Sequence, residues 1–328
     1  MVNVVILLTF GNIYHILYTK LINKGGNFMK EKVFVSHADI ILDKIYDYEF
    51  KLVKQDGGGC NWNDLYNLSM LGECCYAFGS AGNDEEGKIA IQSLKRAGVN
   101  INNIIIDSNI QTAVMNILLP QSNSIDDNDI IHTWYSPITN KNTMHFSDNL
   151  PLNIPQELKD KEIYVILDKF ENINYEFLQK IENKKVCLDV GAEEFIEYYT
   201  NKYLVNFFKQ ANLMQLNNNI CGYLFKKLKV KDEVEFFNML NLDLLVITNG
   251  KKGAKFLFKE NGQLIIMDKE PTIIVEAIDT SGAGDAFFST IIREYAYCNK
   301  IDKEFINNTF ELANKSSREI ILQVGSRK

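Results

Sequence analysis

The chain has 328 residues, 46% of them hydrophobic and 23% charged, with a formal net charge of −7. This composition fills a substantial core and excludes disorder, collagen and long coiled coil. An acid excess without a run of Lys or Arg excludes a nucleic-acid backbone as the main partner, which leaves small molecules.

The first 28 residues stand apart. Residues 4–10 and 13–18 are apolar, but a basic leader and a small-residue cleavage site are both missing, so a secretory signal is not expected. Lys24-Gly25-Gly26-Asn27-Phe28-Met29 can be encoded as a purine-rich ribosome-binding sequence followed by a start codon. The native protein is therefore expected to begin at Met29, with residues 1–28 a non-native or disordered extension. A peripheral membrane anchor is the competing reading.

From Lys32 onward, short apolar runs alternate with helical stretches, as a parallel sheet covered by helices requires. Residues 33–35 open a strand and 40–50 read as extended. Residues 64–71 have helical period, and 76–80 form a strand. Asn83 and Glu86 are placed for a capping box. The helix they open turns Ile89, Leu94 and Ala97 inward and stops at Gly98. Between 112 and 134 two extended runs flank a polar loop at 121–129, a β excursion from the sheet. Strands recur at 163–167, 186–190, 213–216 and 244–248. Helices are expected over 175–182, 195–209, 222–228 and 232–240. A hairpin over 256–267 turns at Asn261-Gly262, a strand covers 273–278, and helices over 285–298 and 303–323 close the chain. Without a repeat or a Pro-rich linker, residues 29–328 read as one α/β domain with a small β appendage.

Six cysteines, at 60, 74, 75, 187, 221 and 298, make neither a CxxC nor a Cys/His zinc spacing. They fit incidental thiols in a reducing cytosol. No stretch reaches the ~18 apolar residues of a membrane span.

The chemistry concentrates in Asp279-Thr280-Ser281-Gly282-Ala283-Gly284-Asp285, ahead of a helix whose apolar face includes Phe287, Phe288, Ile291 and Ile292. Small side chains let backbone N–H groups face outward at a helix N-terminus, which attracts a phosphate. The carboxylate of Asp285 would repel that phosphate as an inert neighbour but makes sense as a base. It would accept the proton of an attacking hydroxyl while the turn stabilises the transferred group. A helix-capping Asp after a Gly-rich turn is the plainer alternative. Walker A and GxGxxG sequences are absent, which removes support for P-loop and dinucleotide-binding classes.

Residues 279–285 resemble the D-T-x-G-A-G-D signature of the ribokinase-like (PfkB) carbohydrate kinases. Gly57-Gly58-Gly59-Cys60-Asn61 resembles that family's glycine pair followed by Asn. The stretch from Gly79 to Gly87 resembles its G-x-x-G-x-D-x-x-G run. Thr248-Asn249-Gly250-Lys251-Lys252-Gly253, and Ala313-Asn314 with Gly325, are similar to its nucleotide-side segments.

The resemblance implies a three-layer α/β/α ribokinase-like fold with a mostly parallel central sheet and a small β lid, here segments 44–56 and 111–135. It implies a cytoplasmic, ATP-dependent kinase acting on a hydroxyl of a sugar or sugar-like substrate by in-line transfer. Asp285 would be the base, and Gly282, Ala283 and Gly284 the anion hole. Asp43, or alternatively Asp39, would hold sugar hydroxyls from the end of the first strand, with Gly58, Gly59 and Asn61. Asn217, Thr248, Gly250, Gly253, Asn314 and Gly325 would line the ATP site, with Mg²⁺ bridging the phosphates and no metal ligand assigned. A lid edge that pairs with a second copy would give a homodimer.

The sequence also departs from the pattern. In the expected N-x-x-E, Asn217 is kept but Ile220 replaces the glutamate; Asp189-Val190-Gly191 keeps only the Asp of another motif. Trp62 and Asn63 replace small residues, and Trp62 either stacks on a ligand or joins the core. His132 and Trp134 lie in the second lid segment, within reach of an acceptor. Other readings are a nucleoside or fructoselysine-type kinase, and a non-catalytic sugar or nucleotide sensor on the same fold.

Overall fold

A computed structural model describes residues 31–121, 130–147, 149–191 and 196–327, plus a short ribbon pairing Thr9–Phe10 with Ile13–Tyr14. The expected start at Met29, the rest of segment 1–28 and most of the polar loop at 121–129 lie outside the described residues.

Strand β1 (Lys32–Asp39) leads into β2 (Ile41–Tyr46), which pairs with β3 (Leu52–Gly58) ahead of helix α1 (Cys60–Met70). Next come β4 (Cys75–Gly82), α2 (Glu85–Arg96), β5 (Asn100–Asp107), β6 (Ala113–Leu118) and β7 (Ile131–Thr133). The rhythm continues with β8 (Glu162–Leu167), α3 (Asn172–Gln179), β9 (Lys184–Val190), α4 (Asn201–Phe208) and β10 (Leu213–Asn217). Helices α5 (Asn218–Leu228) and α6 (Glu233–Leu240) precede β11 (Leu244–Thr248). The hairpin β12 (Ala254–Glu260) and β13 (Gln263–Lys269) is followed by α7 (Ala283–Tyr297) and α8 (Lys303–Ile321).

Among the described residues the main sheet runs β13-β12-β11-β10-β9-β8-β1-β4-β5. Strands β11 through β5 in that order are parallel, and the hairpin adds two antiparallel strands at one edge. Asn261 and Gly262, both at positive φ, make the hairpin turn that the sequence predicts. Side chains alternate across β1. Phe34 joins the core with Ile166, Phe288, Ile291 and Phe310, whereas Val33 and Val35 join the opposite core with Leu167, Phe177, Phe207 and Phe236. Helices on both faces give the expected three-layer α/β/α arrangement. A second sheet, β3-β2-β6-β7, continues from the end of β1.

Four expectations need correction. Helix α2 is capped by Asp84, whose side chain accepts from the Gly87 N–H at 2.8 Å, in place of an Asn83–Glu86 box. Glu86 instead pairs with Lys44 at 3.0 Å. Residues 273–278 form no strand, and Ile273 and Ile274 are 54% and 68% exposed. A β-branched run gives a strand signal whether or not it pairs with a neighbour, and here it does not. The helix expected over 195–209 is interrupted: Thr200 caps α4 by accepting from the Tyr203 N–H. Strand β5 has no counterpart in the sequence reading because Asn100, Asn102 and Asn103 break its apolar pattern on a half-exposed edge.

Candidate active site

In a parallel sheet, ligands collect beyond the carboxyl ends of the strands. Here β1 ends at Asp39, β8 is followed by Asp168, and helices α1 and α7 begin. Helix α1 starts from Gly59 at φ 88°, a left-handed conformation that glycine adopts without a Cβ penalty.

The first turn of α7 is braced from behind. Both oxygens of the buried Asp279 accept backbone N–H groups, Oδ1 from Ser281 and Oδ2 from Gly325, each at 2.8 Å. Gly282 has φ 80°, and a Cβ there would lie 2.5 Å from Ser326 Cβ. A Cβ on Gly284 would meet only Gln215 Nε2, at 4.0 Å, so that side of the turn is open. Asp285 follows, 7% exposed. Its Oδ2 accepts a hydrogen bond from Asn63 Nδ2 at 2.7 Å, joining two glycine-rich segments 222 residues apart in sequence.

Burial pushes the Asp285 carboxyl up to about 6; the Asn63 hydrogen bond opposes the shift and the Asp168 charge adds to it. Asp64 and Asp189, also buried, are driven well above the usual carboxylate range, first by desolvation and then by the Asp285 charge. The Asp285 charge, followed by burial, holds the Cys60 thiol well above its ordinary value. Cys60 is thus no thiolate nucleophile. All six cysteines are free.

On the other side of the cleft, Gly58 leaves no room for a side chain, because a Cβ would overlap the Asp43 carboxylate. Asp43 lies within β2, opposite Asp56, whereas Asp39 ends β1. The expectation of Asp43 at the end of the first strand is corrected accordingly, since the chain runs directly from one sheet into the next. Burial raises Asp43 to about 7 against the Arg327 charge, with Asp285 adding to the rise. Asp39 is raised to about 6 by burial, against Lys169, whose Nζ is 4.0 Å away. Asp39 Oδ1 accepts from the Ser147 N–H at 2.8 Å, while its Oδ2 accepts no hydrogen bond and faces Lys169 Nζ at 4.0 Å. Asn61 is 1% exposed, and both its amide atoms lack a hydrogen-bond partner. Trp62 belongs to the core at 1% exposure, with its Nε1–H donated to the Asp39 carbonyl at 2.7 Å. His132 is exposed on β7, and Trp134 packs edge-on against Phe146.

The residues expected on the nucleotide side divide. Asn217 and Thr248 face each other across β10 and β11, and Gly250 and Gly253 follow at φ 51° and 98°. Asn314 is half-buried on α8, which docks on the turn through Ser317 Oγ donating to the Ala283 carbonyl at 2.8 Å. Gly325 donates its N–H to Asp279 at the base of the turn, and a Cβ on it would meet Ile45 and Lys54 of the second sheet. Asn217 Oδ1 is engaged in capping α5, accepting from the Ile220 N–H at 2.9 Å. No group of three His, Cys, Asp or Glu among the described residues is placed to hold a metal ion.

Asn63 entered the sequence reading only as a departure from pattern, and Arg327 and Gln215 did not enter it. Gln215 Nε2 donates to both Asp189 Oδ2 and the Gly284 carbonyl, at 3.3 Å each.

Fold and site together define an α/β phosphotransferase, and comparison with known proteins makes this more specific. A family model described as pfkB family carbohydrate kinase matches residues 38–328, so the chain belongs to that family and is an ATP-dependent carbohydrate kinase. It is 24% identical to an ATP-dependent 6-phosphofructokinase of Thermoanaerobacterium thermosaccharolyticum, covering 81% of this chain and 82% of that protein. It is 23% identical to a ribokinase of Dictyostelium discoideum, covering 80% and 84%. Among solved structures it resembles a fructokinase with bound ATP from Xylella fastidiosa (TM-score 0.69, 17% identity, 91% and 94% coverage). It also resembles a nucleoside kinase of Burkholderia thailandensis in complex with inosine (TM-score 0.68, 18% identity, 90% and 92%). No helix among the described residues is long and apolar enough to cross a membrane.

Proposed function

We propose that the protein transfers the terminal phosphoryl group of ATP in line to a hydroxyl of a sugar or sugar-like acceptor, with Asp285 as the base. The observation that carries this reading is the bond from Asn63 to Asp285, which sets the carboxylate between the glycine run at 57–59 and the open face of the 282–284 turn.

Asn63 holds Oδ2 and the Cys60 thiol also hydrogen-bonds to the carboxyl, so the acceptor proton would go to the oxygen that Asn63 does not hold. With its carboxyl at about 6, Asp285 is ionised at neutral pH and still close enough to neutrality to accept a proton effectively. The Ala283 N–H donates to the Thr280 carbonyl at 3.1 Å and is not available to a ligand, so the expected three-donor anion hole is left with the N–H groups of Gly282 and Gly284, at the positive end of α7, to favour charge developing on the transferred group. Magnesium bound with the nucleotide supplies charge neutralisation on the phosphates.

Asn61 offers one acceptor and two donors from a buried amide, and Asp39 offers an oxygen that accepts no hydrogen bond and lies beside the Lys169 ammonium. A pocket of this kind suits neighbouring hydroxyls and disfavours analogues that leave its polar atoms unpaired. The second sheet, β3-β2-β6-β7, serves as the lid that excludes water during transfer.

The test is ATP consumption by the purified protein against fructose, ribose, fructose 6-phosphate, nucleosides and glycated amino acids. Turnover with at least one acceptor well above the ATP-only rate is expected. No acceptor-dependent turnover across the panel would contradict the reading and favour a sensor, to which the loss of the glutamate at Ile220 points.

A further inference from the structure

Arg327 is 1% exposed, and its guanidinium lies beneath the glycine run, where a Cβ on Gly57 would overlap it. Nη1 donates to Ser93 Oγ at 3.0 Å and Nη2 to the Gly58 carbonyl at 3.4 Å. Nε donates to Asn63 Oδ1 at 2.9 Å, and Ser326 Oγ adds a second donor to that oxygen at 3.2 Å. The nitrogen of the same amide faces Asp285 Oδ2 at 2.7 Å. Asn63 therefore spans the gap between a buried cation and the carboxylate.

The two ends of an amide have nearly the same shape, so its orientation follows from its neighbours. Arginine carries donors and no acceptor, so the end of Asn63 that faces Arg327 must be oxygen. An ionised carboxylate only accepts, so the end that faces Asp285 must be nitrogen. A flipped amide would set N–H against N–H on one side and oxygen against carboxylate on the other.

We propose that Arg327 is a positioning residue for phosphoryl transfer, locking Asn63 with its amide nitrogen toward Asp285 so that the base stays ionised and keeps one oxygen for the acceptor. The inference rests on the reading of Asp285 as the base. The groups that face Asp285 are Cys60 and Asp64 of α1, Asp43 of β2, Asp168, Asp189 of β9 and Arg327 itself. Against so many carboxyl groups, the correctly turned amide is the largest influence favouring the charged form of the base, followed by the Cys60 hydrogen bond and the Arg327 charge.

The experiment follows the Asp285 carboxyl by ¹³C NMR titration of the full chain, with the signal assigned through Asp285→Asn. Arg327→Met is expected to raise its midpoint by about one unit, and Asn63→Ala to raise it similarly. In the Asn63→Ala background, Arg327→Met should add less than it does in the wild type, because only the direct charge of the arginine, and not its hold on the amide, is then lost. The same added shift in both backgrounds would show a direct charge effect and overturn the proposal, as would no shift in either single variant. Should Arg327→Met fail to fold, Arg327→Lys and Arg327→Gln replace it. Lysine, which only donates, keeps the wild-type midpoint, while glutamine, which offers both kinds of atom, raises it; equal midpoints for the two overturn the relay. The titration needs no turnover. An inactive protein with the expected midpoints would sink the assignment of the base and leave the relay standing.

Discussion

At the residue scale, the behaviour of Asp285 follows from where it is buried. A carboxyl raised to about 6 predicts a kcat/KM profile whose acid limb falls near pH 6, well above the ordinary carboxylate value of 3.8. Below that pH the base is protonated and cannot accept the hydroxyl proton. The check is kcat/KM from pH 4 to 8 with ATP saturating, and an acid limb at or below pH 4.5 would contradict it. The place of the turn at the start of a helix was legible in the sequence because residues 279–285 are contiguous and their pattern is local. The roles of Asn63 and Arg327 were not, because their contacts join positions 222 and 264 residues apart. Nor could spacing decide between Asp39 and Asp43, since the direct passage from β1 into β2 places both near the cleft.

At the scale of elements, the glycines of the 282–284 turn separate stability from activity. Gly282 needs a left-handed backbone and lies against Ser326, so Gly282→Ala should lower both the melting temperature and turnover. Gly284 lies within α7 with open space beside it, so Gly284→Ala should leave the melting temperature within about 2 °C of wild type. Its methyl group would occupy the face assigned to the phosphoryl group, and turnover should drop by at least tenfold. Thermal melts paired with initial rates test this; a Gly284→Ala protein of full activity would move the phosphoryl site elsewhere. The same scale shows what apolar patterning can tell. Residues 163–167 of β8 are all buried and read as a continuous apolar run. Residues 273–278 carry a similar run and lie exposed, whereas β5 is a real edge strand hidden by its asparagines.

For the whole molecule, the concentration of buried carboxyls at one end of the sheet predicts an unusual dependence of stability on pH. Asp39, Asp43 and Asp285 are raised to about 6, 7 and 6, so in each the protonated form favours the folded state. Their contribution is complete below the unfolded value of 3.8 and is lost as pH rises through 6 to 7, each worth on the order of 3 kcal/mol. His37, lowered to about 4 by burial, acts in the opposite direction, losing stability as pH falls below 6.5. With the buried carboxyls of Asp39, Asp43, Asp64, Asp168, Asp189 and Asp285 all raised against one lowered histidine, the melting temperature should be higher at pH 5 than at pH 8, and Asp43→Asn should flatten that slope. A melting temperature that rises from pH 5 to pH 8 would contradict the burial of these groups in the free protein. The three-layer order was readable from alternating runs, but the packing of residues 324–327 against the active-site turn was not, because no local pattern marks it.

The most direct measurement is turnover by the Asp285→Asn protein with whichever acceptor the wild type uses, alongside nucleotide affinity by calorimetry. Asparagine keeps the shape of the side chain and removes its capacity to take a proton. A loss of 10² to 10⁴-fold in kcat with ATP affinity within about threefold of wild type is the predicted result. Turnover within about tenfold of the wild type would show that the acceptor proton leaves by another route.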